Sequence, residues 1–160
     1  MLNSEDQEKV KQALGEVTAL MQKDEPLNKE YSNDDLRVLY TLAYTLYQGN
    51  DYEQAKRIFQ QLAACKPFTK KYWIGLGSCW QMEHSYTDAL KAWGMAALID
   101  ASDPIPHYHA VECYLALEDY TEGLKALRAT KSRLTDTHQE LREKVENLES
   151  SWKQEEKKGA

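Results

Sequence analysis

Residues 70–103 read KKYWIGLGSCWQMEHSYTDALKAWGMAALIDASD, and the blocks on either side share their arrangement of apolar positions. Residues 36–69 read LRVLYTLAYTLYQGNDYEQAKRIFQQLAACKPFT, and residues 104–137 read PIPHYHAVECYLALEDYTEGLKALRATKSRLTDT. The three blocks align without a gap at a period of 34 residues. A repeat of this length predicts an array of similar structural units.

Five columns of this alignment hold residues of similar kind in all three blocks. They are Tyr52/Tyr86/Tyr120, Ala55/Ala89/Gly123, Phe59/Trp93/Leu127, Leu46/Trp80/Tyr114 and Ala43/Gly77/Val111. In block one, apolar residues recur at the i, i+3, i+4, i+7 spacing of a helix from Leu39 to Leu46 and again from Ala55 to Leu62. Between them QGND, which contains Gly49, breaks the pattern, so each block is predicted to be a helical hairpin.

A 34-residue helical hairpin with W-x-x-L-G-x-x-aromatic, a later Ala, an aromatic residue and a closing Pro is the tetratricopeptide (TPR) pattern. Block two carries it best, in Trp73, Leu76, Gly77, Trp80, Ala89 and Trp93. Block three departs from it, with Gly123 in place of Ala and no closing proline. The sequence therefore predicts an all-α protein of three TPR hairpins that form a right-handed superhelical concave groove. We expect close helix packing at Gly77, while Gly75 leaves room beside a neighbouring helix.

Both flanks of the repeats are also predicted to be helical, within a single domain over 1–160. Ser4 and Gln7 form a capping box for an N-terminal helix over 4–23. Thr137, with Glu140, is the expected cap of a C-terminal capping helix over 138–153. A flexible tail over 154–160 would follow, and the repeats would be TPR1 (36–69), TPR2 (70–103) and TPR3 (104–137).

The composition disfavours two classes of main partner. Lys and Arg total 20 against 26 Asp and Glu, a net charge of −6, which disfavours nucleic acid and anionic membranes as main partners. The longest apolar run, AWGMAALI over 92–99, is too short to span a bilayer, and residues 1–10, MLNSEDQEKV, lack the charged-then-apolar pattern of a secretory signal. We expect a cytosolic protein with no stable membrane association. Cys65, Cys79 and Cys113 are predicted to be free, buried thiols.

The first helix of block one is apolar on two faces, because Tyr40, Tyr44 and Tyr47 lie beside its leucine stripe. In stacked helical hairpins the first helices line the concave wall, which is the usual binding surface. We predict a peptide-binding surface there, called the inner face below. Its residues are Tyr40, Tyr44, Tyr47, Ile74, Ser78, Gln81, Tyr108, Glu112 and Leu115. For each single tyrosine, half-buried packing is the alternative interpretation.

Sequence motifs for catalysis are weak. Gly75-x-Gly77 lacks the third glycine and the following Lys-Ser/Thr of a phosphate loop. His107, His109 and Glu112 could suggest a metal-assisted hydrolase, but His107 and His109 point to different sides of one helix. His109, Glu112 and Cys113 share a side but lack a fourth ligand. With no nucleophile–base arrangement either, the sequence predicts a protein that is not an enzyme and uses no cofactor. Metal analysis of the purified protein would test the hydrolase alternative, because a metal-free sample would exclude it.

Three segments in the middle of the chain carry a close family resemblance, namely YTLAYTLYQGNDYEQA, the glycine pair in GLGSC and AALIDASDPIPHYHAVECYL. The resemblance is to the LcrH/SycD/IpgC chaperones of bacterial type III secretion. It implies a class II chaperone that binds membrane-active translocator proteins in the bacterial cytosol, with an extended client segment in the concave groove. It also implies a homodimer built with the first helix, which makes Val10, Leu14 and Val17 candidate dimerisation residues.

A generic TPR adaptor for another peptide or protein is the alternative. Adaptors that clamp a carboxylate need Lys or Arg on the inner helices. Arg37 and Lys71 are the only obvious candidates, so such a clamp would be incomplete.

Overall fold

The computed structural model describes residues 30–159, except for the side chains of residues 156 and 157. This part of the chain contains seven helices and no strand, which confirms the all-α prediction. They are α1 (Asn33–Gln48), α2 (Tyr52–Cys65), α3 (Lys70–Met82), α4 (Tyr86–Ile99), α5 (Pro104–Ala116), α6 (Tyr120–Lys131) and α7 (Gln139–Lys158). No helix in the described range is long and apolar enough to cross a bilayer. The predicted helix over 4–23, with Val10, Leu14 and Val17, lies outside the described residues.

The chain divides into two compact units between Ser85 and Tyr86. In the first, α2 packs against both α1 and α3, and α1 also contacts α3. In the second, α5 packs against both α4 and α6, and α7 contacts α6. Each predicted block thus holds two helices joined by a short turn, while the single domain and the exact repeat limits stay predictions.

Short polar residues begin several of the helices. Ser32 and Asp35 form a capping box at α1, in which each side chain accepts a hydrogen bond from the other residue's backbone N–H, at 3.1 and 3.0 Å. Asp51 and Asp119 are equivalent N-caps of α2 and α6, and Asp103 caps α5. Each of these side chains satisfies a backbone N–H that the first turn would leave unpaired.

The turn after the first helix has the same backbone geometry in all three hairpins. Asn50, His84 and Glu118, spaced 34 apart, have φ angles of 63°, 61° and 58°. In each turn this residue's N–H bonds to the carbonyl three residues earlier, and the next N–H bonds to the carbonyl five residues before it, at 2.8–3.1 Å. This is the Schellman motif. The predicted break at QGND is where α1 ends, because Gly49 is its C-cap, with φ −81°, and Asn50 makes the left-handed step.

Replacing Glu118 by glycine is expected to raise the free energy of unfolding by about 1 kcal/mol, because a residue with a Cβ is strained in the left-handed region. Urea denaturation of the whole chain measures this change. Gly49→Ala is the control and should change stability little, since its Cβ would lie at ordinary contact distance, 3.5 Å, from the nearest atoms. Equal stability of Glu118→Gly and wild type would contradict the strain.

Three of the five repeat columns are core positions. Members of three columns are at most 4% exposed, namely Ala43, Val111, Ala55, Ala89, Phe59, Trp93 and Leu127. The similarity between the blocks therefore reflects a requirement for apolar side chains of matching size at helix contacts.

Gly75 allows α3 to pass directly over the ring of Phe59 on α2. A Cβ at position 75 would lie 2.4–2.6 Å from three carbons of that ring, closer than carbon atoms can approach. Phe59 is itself 1% exposed and cannot swing into solvent. The expectation that Gly75 leaves room beside a neighbouring helix is therefore confirmed, and the neighbour is Phe59.

The C-terminal helix differs from its prediction at both ends. His138, and not Thr137, occupies the N-cap, and it makes no side-chain capping bond. The Thr137 hydroxyl pairs instead with that of Thr135 at 2.8 Å. The helix continues to Lys158, although a flexible tail is predicted from residue 154. The physical reason is composition, because Lys, Gln and Glu are good helix formers and nothing breaks the helix before Gly159.

Trp152 explains why block three has glycine where the repeat expects alanine. A Cβ at Gly123 would lie 3.2 Å from Cη2 of Trp152, tighter than usual packing. Trp152 also meets the ring of Tyr120 edge-on, with centroids 6.0 Å apart. Gly123 and Trp152 thus form one contact between α6 and α7.

Candidate functional site

In the first unit, the predicted inner-face residues come from α1 and α3, which contact each other. Tyr40 and Tyr44 lie one turn apart on α1, with ring centroids 6.4 Å apart and planes 20° apart. Tyr44 is 49% exposed, whereas Tyr40 is half-buried. The pair therefore presents an aromatic surface to solvent that is supported from behind.

Tyr40 supports that surface because its ring reaches the core. It meets Phe59 edge-on at 6.0 Å between centroids and lies 5.9 Å from the ring of Tyr72. Burial, with a smaller effect of Tyr44, raises the pKa of the Tyr40 hydroxyl. The alternative interpretation, half-buried packing, therefore describes Tyr40. The ring of Tyr44 is instead exposed to solvent.

Tyr47 joins the two inner helices. It is half-buried and packs edge-on against Tyr52, with centroids 5.4 Å apart. Burial raises the pKa of its hydroxyl, and a hydrogen bond from Ser78 on α3 partly opposes that rise. Ile74 and Gln81, the other predicted residues of α3, are half-buried.

Lys71 is a cation next to this aromatic surface. Its Nζ lies 4.4 Å from the centroid of the Tyr40 ring and 5.7 Å from that of Tyr72. From the sequence, Lys71 is a candidate only for an incomplete carboxylate clamp. Its position over Tyr40 depends on the contact between α1 and α3, which the sequence does not display.

In the second unit, the predicted residues Tyr108, Glu112 and Leu115 lie on α5. Glu112 Oε1 is 2.6 Å from Nδ1 of His109, whose ring stacks on Trp93 with centroids 4.4 Å apart. The pKa of Tyr108 is raised by burial and then by Glu112, against the effect of Lys144. Tyr108 and Leu115 pack on a buried cluster. Its members are Val111, Ala126, Leu127 and Val145.

Leu115 also lines a cleft of about 300 Å³ beside α7. The other lining residues are Tyr120, Leu148, Ser151, Trp152 and Glu155. The sequence does not place Trp152 near an inner-face residue, although the C-terminal helix carries an apolar stripe at helical spacing, made of Leu141, Val145, Leu148 and Trp152. The recurrence of apolar residues in that stripe was the available signal, since it brings α7 onto the end of the repeats.

The residues of the hydrolase alternative are not assembled as a metal site. Nε2 of His107 is buried without a hydrogen-bond partner, and burial, aided by Arg133, lowers the pKa of this imidazole. His109 is held by Glu112 and Trp93. Within residues 30–159, no three His, Cys, Asp or Glu side chains come together as a metal ion would require.

The three cysteines are free, and two of them occupy equivalent repeat positions. Cys79 and Cys113 are fully buried, and burial raises the pKa of each thiol to about 12. Cys65 is half-buried. Since the thiolate is the reactive form, Cys79 and Cys113 are packing residues with little nucleophilic character.

Known proteins share this arrangement of helices and much of its sequence. No family model matches the chain. Low calcium response locus protein H of Yersinia pestis is 32% identical over 107 residues, which is 67% of this chain and 64% of that protein. The type III secretion chaperone SycD of Yersinia enterocolitica, solved with a peptide of the translocator YopD, is 28% identical. It superposes with a TM-score of 0.75 over 80% of this chain and 99% of SycD.

The chain belongs to the LcrH/SycD family of type III secretion chaperones. A third member, PcrH in complex with the chaperone binding region of PopD, is 26% identical, with a TM-score of 0.76 over 81% of this chain and 98% of PcrH. The sequence match spans just under two thirds of the LcrH relative's length, 64%. The family resemblance read from the repeats is therefore confirmed.

Proposed function

We propose that this chain is a cytoplasmic chaperone that binds translocator proteins of a type III secretion system and keeps them soluble before export. Relatives support the proposal, because SycD was solved with a YopD peptide and PcrH with the chaperone binding regions of PopB and PopD. The observation in this chain that carries it is the exposed ring of Tyr44, stacked on the core-anchored Tyr40. An exposed aromatic surface of this kind is typical of a site that awaits a partner.

The binding mechanism follows from the rigidity of that surface. Tyrosine presents a large apolar ring with few rotatable bonds, so it loses little conformational entropy when a client side chain packs on it. Phe59 and Tyr72 hold Tyr40 from behind, which prepares the surface before the client arrives. Ser78 and Gln81 offer uncharged polar groups to the backbone of an extended segment. No nucleotide or metal enters this scheme, and binding is stoichiometric.

Three further parts of the proposal rest on the same family. The chain acts as a binding protein and not as an enzyme, which is supported by relatives that are named as chaperones. It works in the bacterial cytoplasm. It also forms a homodimer through the segment 4–23, with Val10, Leu14 and Val17 at the contact, which is supported by the existence of a SycD structure described as an alternative dimer.

The Tyr44→Ala variant tests the binding surface. We expect the affinity for the translocator that co-purifies with the wild-type chain from native cells to fall about tenfold, because an exposed aromatic anchor is removed. Co-expression followed by titration calorimetry measures the loss. Since Tyr44 contributes little to the core, circular dichroism and the melting temperature should stay unchanged.

Phe68→Ala is the matched control. Phe68 is an aromatic residue 82% exposed in the turn between α2 and α3, and it is not an inner-face residue. We expect it to bind the client normally. Adding Tyr40→Ala to Tyr44→Ala should abolish co-purification, although this double variant also loses the contact with Phe59. Full client binding by Tyr44→Ala would end the assignment of the surface.

A further inference from the structure

Two cations occupy equivalent positions at the start of the inner-face helices in the first unit. Arg37 on α1 and Lys71 on α3 are 34 residues apart, in the same repeat column. Each lies three residues before an inner-face position, Tyr40 or Ile74, and seven before the next, so it continues the same helical stripe. The inner face of this unit therefore has a positive end.

Neither cation is neutralised firmly within the described chain. Arg37 lies 3.9 Å from Asp34, and the two side chains are 71% and 91% exposed, so this pair is weak. Lys71 pairs with no carboxylate among residues 30–85, and its ammonium lies instead over the ring of Tyr40. The aromatic ring holds the ammonium in place and limits the rotamers of the lysine chain.

The rest of the inner face in this unit carries no charge. Its residues are Tyr40, Tyr44, Tyr47, Ile74, Ser78 and Gln81. A client segment that contacts it thus meets apolar and neutral polar groups, and then a cation only at the end where α1 and α3 begin. Such one-sided charge favours one direction and one register of an extended chain.

We propose that the client segment carries an Asp or Glu side chain beside its apolar anchor, and that Lys71 binds this carboxylate while the anchor packs on Tyr44. The proposal rests on the proposed function and adds the chemistry of the client. Lys71 supplies ammonium hydrogens that do not face the Tyr40 ring, so it donates to the carboxylate without leaving the ring. Arg37, one repeat earlier, adds positive potential at the same end.

The test uses an array of overlapping synthetic peptides from the co-purified translocator. In the peptide that binds most tightly, each Asp and Glu is replaced singly by Asn or Gln. For the wild-type chain, one replacement should weaken binding about two- to fivefold, the range of a partly exposed ion pair, and high salt should shrink the difference. For Lys71→Met the same replacement should have no effect, and Lys71→Glu should prefer a lysine at that position.

Lys66→Met, which removes an exposed cation at the end of α2, is the control and should keep the acid preference. Equal sensitivity of wild type and Lys71→Met to every replacement would overturn the role of Lys71. Tyr44→Ala on the same array separates the two proposals. If it binds all peptides as wild type does, the proposed function fails. If it loses binding while no acidic position matters, only the client chemistry fails.

Discussion

Replacing Gly75 by alanine is expected to lower the free energy of unfolding by about 2 kcal/mol, although alanine is the better helix former. The added methyl group would lie 2.4–2.6 Å from three ring carbons of Phe59, and that ring is 1% exposed. Relief requires α3 to move away from α2 or the ring to leave its rotamer, and either change loses packing. Urea denaturation of the whole chain, followed by circular dichroism, measures the loss.

Gly94→Ala is the matched control, because no atom lies within 4 Å of a Cβ built at this exposed position of α4. We expect it to raise stability by about 0.5–1 kcal/mol through helix propensity alone. The two glycine substitutions should thus have opposite signs. Adding Phe59→Leu to Gly75→Ala should cost less than the sum of the two single changes, since the smaller side chain relieves the overlap. A stabilising Gly75→Ala would refute the close approach.

Replacing Trp93 by alanine is expected to lower the free energy of unfolding by about 3–5 kcal/mol, the largest effect among these predictions. Trp93 is 1% exposed on α4, and its ring stacks on His109 of α5 at 4.4 Å between centroids. Truncation leaves a cavity and removes the surface that orients His109, which in turn holds Glu112 at 2.6 Å. Denaturation followed by circular dichroism measures the effect without relying on tryptophan fluorescence.

Trp93→Phe keeps an aromatic ring at this position and should cost less than half as much. Leu98→Ala, on the same helix but 79% exposed, should change stability by less than about 0.5 kcal/mol. A loss below about 1 kcal/mol for Trp93→Ala would show that the contacts of Trp93 are replaceable. It would also show that the buried repeat column Phe59/Trp93/Leu127 does not hold the helices together.

The helical hairpins could be predicted from the sequence because the buried columns repeat at a fixed period, and burial depends on residue class more than on detail. The position of the first turn could also be predicted, from QGND, but the backbone geometry of the turns could not. Asn50, His84 and Glu118 share one backbone conformation without sharing side-chain chemistry, so no residue type marks the left-handed position. The conformation is imposed by two hydrogen bonds that close each first helix.

The candidate site was predictable where it depends on one helix and less so where it depends on two. The tyrosine stripe of α1 follows from the helical period alone. The Tyr40 ring is held in the core and the Tyr44 ring is exposed. This difference depends on Phe59 and Tyr72, which come from other helices. The placement of Lys71 on the Tyr40 ring and the need for Gly75 likewise arise from contacts across elements. Such contacts pair residues that no local pattern relates.

Because the turns share one backbone geometry, the connecting residues of one turn can replace those of another. Residues 49–51, 83–85 and 117–119 begin and end with the same hydrogen bonds although their sequences differ, being GND, EHS and LED. We expect the connections at 49–51 and 117–119, each of which lies within one unit, to be exchangeable without a change in their backbone hydrogen bonds. Because the hydrogen-bonding groups are backbone atoms, these two sites offer places where labels or new chemistry can be installed while the turn geometry is kept.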